Sequence, residues 1–214
     1  MSKLKEIKTE PKKESGSLLF TAIAAIMILG ILAIVYFALF SPAPSLDVSA
    51  LEKGGHVAGN PDAKISIVEF SDFQCPACGA FFLTEKRILS EFGDKVKFIY
   101  RHFPLPQHTY APKSAEASEC ASEQGKFWEM HDKLFENQEN LALSDLRAYA
   151  SEIGLESAKF NQCLETGKYA PKVASDLALG NSVGVNATPT IFINGAKQQD
   201  TSYEGIKAAI ERAS

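Results

Sequence analysis

The sequence lacks any excess of basic residues: its formal net charge is −4 at pH 7. No basic stripe interleaved with aromatics occurs either, so a nucleic-acid surface is excluded. Methionine is scarce, and beyond residue 40 only Met130 remains. A copper carrier built on paired cysteines normally adds Met or His beside them, and here that supply is poor. Cys120 and Cys163 lie too far apart to form a second Cys-x-x-Cys, and His102, His108 and His131 are scattered. A zinc site built on paired cysteines therefore lacks its other half. There are no internal repeats, and the only low-complexity stretch is a short linker.

Charge is also missing from residues 18–40, which is the first positive signal. These 23 residues would make roughly 34 Å of helix, enough to cross a hydrocarbon core of about 30 Å. A buried soluble helix would carry a polar face, and this segment offers only Thr21 and Tyr36. A cleaved signal peptide has an apolar region of about 7–15 residues, and the nearest small-x-small site, Ser41-Pro42-Ala43, is followed by Pro44. The expectation is an uncleaved signal anchor. Lys3, Lys5, Lys8, Lys12 and Lys13 precede it, and the first basic residue after it is Lys53. The positive-inside rule then makes residues 1–17 a cytoplasmic tail of a single-pass cell-membrane protein and places the rest outside the cytoplasm. Four cysteines in that compartment pair or do redox chemistry.

Residues 41–59, with Pro42, Pro44 and Gly54-Gly55, read as a tether, and residues 60–214 as one domain. A turn at Asn60-Pro61 leads to a strand over 65–70, a helix from about 75 to 92 stopped by Gly93-Asp94, and a strand from 96. Residues 110–179 read as helical throughout, with Ser144 expected to cap one of the helices. Phe127, Trp128, Met130, Leu134 and Phe135 have the spacing of a core-facing stripe. A late strand, Thr190-Ile191-Phe192-Ile193, meets an Asn194-Gly195 turn. A closing helix starts at Thr201 or Ser202, where Thr201 and Glu204 have capping-box spacing. The segment between, 196–200, is a weak strand.

Cys75-Pro76-Ala77-Cys78 sits where the first core strand hands over to the helix. A helix N-terminus stabilises a thiolate, and the thiolate is the form that attacks disulfides. That makes Cys75 the candidate nucleophile. Cys78, one turn in, is the candidate resolving thiol of a redox-active pair. Glu69, an acid inside the apolar strand, either reaches water or is buried. Cys120 and Cys163, 43 residues apart, read best as a structural disulfide; two buried thiols or a second relay remain open.

Four blocks together resemble a known family: residues 68–78 (VEFSDFQCPAC), 100–105 (YRHFPL), 124–132 (QGKFWEMHD) and 184–195 (GVNATPTIFING). In that order they resemble the membrane-anchored DsbA-like thiol–disulfide oxidoreductases of the thioredoxin superfamily. The resemblance implies an α/β thioredoxin fold with an inserted all-helical subdomain, preceded here by the transmembrane helix. It implies an exposed Cys75 sulfur, a more buried Cys78, and Glu69 as a buried carboxylate relaying a proton to or from Cys78. It implies a cis Thr188–Pro189 bond packed on the cysteine pair, with the Thr188 backbone pairing to an extended client segment. Strongly oxidising relatives carry a histidine where this chain has Ala77, so an intermediate potential is expected. The implied activity is oxidation of cysteine-containing exported proteins, without cofactor or metal, with an integral-membrane quinone-linked thiol oxidase recharging the pair. A disulfide isomerase or reductase, and a metallochaperone or binding module, are the alternatives.

Overall fold

The computed structural model describes residues 23–32, 36 and 48–214. The chain divides into two compact units, Met1–Ser45 and Leu46–Ser214. In the first, residues 23–32 are helical with exposed apolar side chains such as Ile26 and Leu29. Among the described residues no helix is long and apolar enough to cross a membrane. The expected span at 18–40 extends into residues outside the described ones, and the tail at 1–17 lies outside them altogether.

The second unit begins earlier than the sequence suggests. Much of the expected tether is structured: α1 covers Val48–Glu52 and β1 covers His56–Gly59. Leu51 is fully buried, and β1 pairs antiparallel with a later strand, from His56↔Tyr100 to Gly59↔Lys97. Gly59 has φ +76°, and a Cβ there would overlap the carbonyl oxygen of Val96. Glycine is what lets the edge strand close on its neighbour.

The remaining core strands are β2 (Ile65–Ser71) and β3 (Val96–His102), joined by α2 (Pro76–Phe92). All seven residues of β2 are buried, as expected of a central strand covered on both faces. It pairs parallel with β3 and antiparallel with β4 (Thr190–Ile193). A two-residue strand, β5 (Ala196–Lys197), closes the edge, so the five-stranded order is β1-β3-β2-β4-β5. The β4–β5 turn uses Asn194 at φ +47° and Gly195 at φ +80°, the pair of positive φ values that tight hairpins require.

Between β3 and β4 lie α3 (Ala111–Ser122), α4 (Phe127–Glu136), α5 (Leu143–Glu152), α6 (Ser157–Glu165) and α7 (Ala170–Ser182). α5 starts after Ala142, and Ser144 sits inside its first turn instead of capping it. The Asp145 carboxylate accepts from the Ala142 N–H at 3.0 Å and does the capping. At the closing helix α8 (Tyr203–Ala213), the Ser202 hydroxyl accepts from the Gly205 N–H, and the Thr201–Glu204 box does not form. Cys120 and Cys163 are joined by a disulfide between α3 and α6. Phe127, Met130, Leu134 and Phe135 are core, and Trp128 packs against it part-exposed.

Candidate active site

Cys75 is the N-cap of α2, with extended backbone (φ −78°, ψ 120°), and Pro76 occupies the first helical turn. Proline costs no hydrogen bond there, because the first helical N–H groups have no intrahelical acceptor. The approach to Cys75 is pinned by Asp72, which is 2% exposed. Its carboxylate accepts from the Gln74 N–H at 2.7 Å, from the Leu105 N–H at 2.7 Å and meets His108 Nδ1 at 2.8 Å. Its carbonyl accepts from the Cys75 N–H at 3.0 Å. Asp72 thus ties the redox loop to the loop after β3.

Both active-site cysteines are free thiols in the structure. Cys75 Sγ stands 3.4 Å from the Thr188 carbonyl oxygen, and the Thr188–Pro189 bond is cis. The expected order of burial holds, but Cys75 is less open than anticipated: it is 6% exposed and Cys78 is fully buried. Cover comes from the Thr188 side and from the helical subdomain, whose core includes both cysteines.

The two thiols are electrostatically unlike. The hydrogen bond from the Cys78 thiol, helped by the Ala77 and Cys78 N–H groups, pulls Cys75 down to about 5 against the penalty of burial. Burial pushes Cys78 far up, and its hydrogen bond to Cys75 and the nearby Glu69 charge push it further. At neutral pH this arrangement favours a thiolate at Cys75 and a protonated thiol at Cys78.

Glu69, on β2 opposite Tyr100 of β3, is 1% exposed. Burial raises its carboxyl to about 8, and a charge on Cys75 adds to the rise. Its Oε2 makes no protein hydrogen bond. A carboxyl held near neutrality beside a buried thiol is placed to take or give a proton.

Three more residues belong to this region; the sequence reading passed over Glu85 and Gln138 and took His131 only as one of several scattered histidines. Glu85 and His131 are both buried, 3.5 Å apart. Burial raises the acid well above its ordinary value and lowers His131 to about 4. The signal for Glu85 was present: it occupies a core position in the α2 stripe Phe81, Phe82, Ile88, Phe92. Gln138, in the turn after α4, donates to the carbonyls of Phe73 and Cys75. Nothing in its neighbourhood of the sequence marks it.

Away from the thiols, His56, His102 and Glu119 bring three ligand atoms within 4.8 Å of one another, donors of a type that hold divalent metals. Both imidazole Nε2 atoms meet the same Glu119 oxygen, at 2.9 and 3.0 Å, and Lys172 Nζ stands 3.6 Å from it. Burial opposes the charge on Glu119, but the hydrogen bonds from His102 and His56 prevail and hold its carboxyl well below the usual range. As built, the group is a hydrogen-bonded clasp between β1, β3, α3 and α7. A groove of about 870 Å³, with Phe103, Leu105, Val173, Leu177 and Val185 in its walls, opens beside the loop that carries Thr188.

The family model described as thioredoxin matches residues 51–212. The chain belongs to the thioredoxin family. The match starts within α1, in keeping with a folded unit that includes β1. Among solved structures, this thioredoxin-family domain is similar to BdbD from Bacillus subtilis in its oxidised form. Identity there is 30% and the TM-score 0.69, over 75% of this chain and 93% of that one. Similarity to α-DsbA1 from Wolbachia pipientis is 25% identity with a TM-score of 0.67, over 82% and 94%. The domain is therefore DsbA-like. Among curated proteins, the chain is 37% identical over 160 residues to the Na(+)/H(+) antiporter NhaA 3 of Salinispora tropica. That alignment takes in 74% of this chain and 24% of the antiporter, so the chain spans about a quarter of the length of the curated relatives it matches.

Proposed function

We propose that this protein is a thiol–disulfide oxidoreductase acting outside the cytoplasm, and that its net direction is oxidation of exported proteins. The observation that carries the reading is the split between the thiols: Cys75 is drawn down to about 5 while Cys78 is pushed up. Stabilising the Cys75 thiolate stabilises the reduced protein, which makes the disulfide form the stronger oxidant. In the oxidising half-reaction a client thiolate attacks Cys75 Sγ of the Cys75–Cys78 disulfide. The intramolecular S–S bond breaks, and Cys78 leaves with the electron pair and takes a proton. A second client thiolate then attacks its own sulfur in the mixed disulfide, forming the client disulfide and expelling Cys75 as a stable thiolate. The return attack by Cys78 clears stalled mixed disulfides.

The Thr188 carbonyl beside Cys75 Sγ is a main-chain acceptor for an extended client segment, and the neighbouring groove supplies apolar surface. The remainder of the proposal rests on the sequence: residues 18–40 anchor the protein in the cell membrane with the N-terminus cytoplasmic. A quinone-linked membrane thiol oxidase would recharge the pair. The DsbA-type neighbours support thiol–disulfide exchange as the chemistry.

The test is oxidative refolding of reduced ribonuclease, together with capture of clients. The protein should restore ribonuclease activity in a glutathione buffer. A Cys78→Ser variant should accumulate disulfide-linked adducts that dithiothreitol releases. No gain over buffer and no adducts would leave only a binding module.

A further inference from the structure

Gln138 reaches from the helical subdomain across to the redox loop, more than sixty residues away in sequence. Its single amide nitrogen donates to two main-chain carbonyls, Phe73 O at 2.8 Å and Cys75 O at 2.9 Å. Cys75 O also accepts from the Gly79 N–H at 3.1 Å, the first helical bond of α2. The amide orientation follows from the network, since turning it over would set its oxygen against two carbonyls. On its other side the Gln138 amide lies against Gly79. A Cβ built on Gly79 would overlap Gln138 Oε1 and stand only 2.8 Å from Cδ. Gly79 has no positive φ, so its backbone does not call for glycine. Helix propensity alone would favour alanine there by about 1 kcal/mol.

We propose that Gln138 is a positioning residue for the Cys75 nucleophile, and that Gly79 is glycine to let its amide in. Clamping the carbonyls of Phe73 and Cys75 turns the negative ends of those peptides toward Gln138. The N–H groups of Ala77 and Cys78 are then left directed at Cys75 Sγ. Loss of the clamp frees the loop, weakens those N–H contacts and lets carbonyl dipoles drift toward the sulfur. The Cys75 thiolate is thereby destabilised. This rests on the thiol-exchange reading for its importance but not for its test, which needs only the dithiol itself.

The experiment uses the full chain with Gln138→Ala, Gln138→Glu, Gly79→Ala and the Gly79→Ala/Gln138→Ala pair. Two readouts are followed: the pH dependence of Cys75 alkylation and the equilibrium constant with glutathione. Each single change should raise the Cys75 pKa and shift the equilibrium toward the disulfide form by about five- to ten-fold, the weight of a net hydrogen bond or so. The paired variant should shift no further than either single one, because both remove the same contact. Gln138→Glu keeps the shape, loses the donors and adds a negative charge, so it should raise the Cys75 pKa at least as far as Gln138→Ala. Unchanged Cys75 pKa and equilibrium in Gln138→Ala, with only thermal stability lowered, would reduce Gln138 to a packing residue. Additive shifts in the paired variant would sever Gly79 from it. A wild-type protein that fails to oxidise clients would overturn the functional proposal and leave these comparisons readable.

Discussion

Cys75 and Cys78 are one helical turn apart, yet their protons are held with very different strengths, and that difference has a pH signature. The folded Cys75 thiol, lowered to about 5 chiefly by the Cys78 hydrogen bond, ionises well below an unfolded thiol, which does so near 8.5. A depressed acid stabilises the fold fully above the unfolded value and loses that contribution as pH falls toward the folded one. The reduced protein should therefore gain stability relative to the disulfide form as pH rises from about 5 to 8.5. Urea unfolding of both forms across that range measures it, and a constant difference would contradict the assignment. Glu69 gives a second test at the same scale. In the proposed cycle Cys78 must shed a proton when the reduced protein is recharged, and a Glu69 carboxyl raised to about 8 by burial would accept it only once ionised. Reaction with oxidised glutathione should accelerate as pH passes about 8. Glu69→Gln should slow it by ~10-fold or more and remove that inflection. Stopped-flow traces showing equal rates for the two proteins would take Glu69 out of the mechanism.

At the scale of elements, what could be read in the sequence followed the strength of local pattern. β2 and β4 are dense apolar runs, and α2 carries a stripe from Phe81 to Phe92 between a proline start and a glycine stop, so their places were evident. β1 was not. His56-Val57-Ala58-Gly59 has no inward apolar alternation: Val57 is exposed, and the strand exists through its ladder with β3 and the His56–Glu119 contact. The α5 cap was misplaced for a related reason, because Asp145 reaches back from within the helix and a hydroxyl at Ser144 offered a more familiar signal. Gln138 and Asp72 act through main-chain groups that only the fold brings near. If the 48–59 segment is part of the folded unit, then Leu51, fully buried with Val68, Phe70 and Ile99, carries real stability. Leu51→Ala should cost about 2–5 kcal/mol and lower the melting temperature by several degrees. Calorimetry on the full chain checks this. A change below a degree would return the segment to being a tether.

For the folded unit as a whole, the helical insertion is more than a cap on a thioredoxin sheet. One apolar cluster contains Phe73, Cys75, Cys78 and Tyr100 from the sheet side, and Met130, Leu134, Leu146 and Phe160 from the helices. The Cys120–Cys163 disulfide lies in that same cluster, at 1% and 4% exposure. The molecule thus holds two cysteine pairs in one core under opposite demands. Under the proposed function one exchanges with client proteins, and the other must survive the same redox environment. Thiolate stability separates them, since exposure hardly does: Cys75 is 6% exposed and Cys163 4%. The 75–78 pair sits at a helix N-terminus under the Thr188 loop, where the Cys75 thiolate is stabilised. The 120–163 pair joins two packed helices, with neither sulfur at a helix N-terminus. Titration of the native disulfide form with a glutathione buffer should therefore label Cys75 and Cys78 first, and Cys120 and Cys163 only after denaturation. Replacing both of the latter with alanine should remove about 3–4 kcal/mol, the chain-entropy value for a 43-residue loop. The glutathione equilibrium of Cys75 and Cys78 should stay where it was, since neither Cys120 nor Cys163 hydrogen-bonds to the redox loop. Mass-spectrometric mapping in which all four thiols appear together at one potential would refute that division of labour.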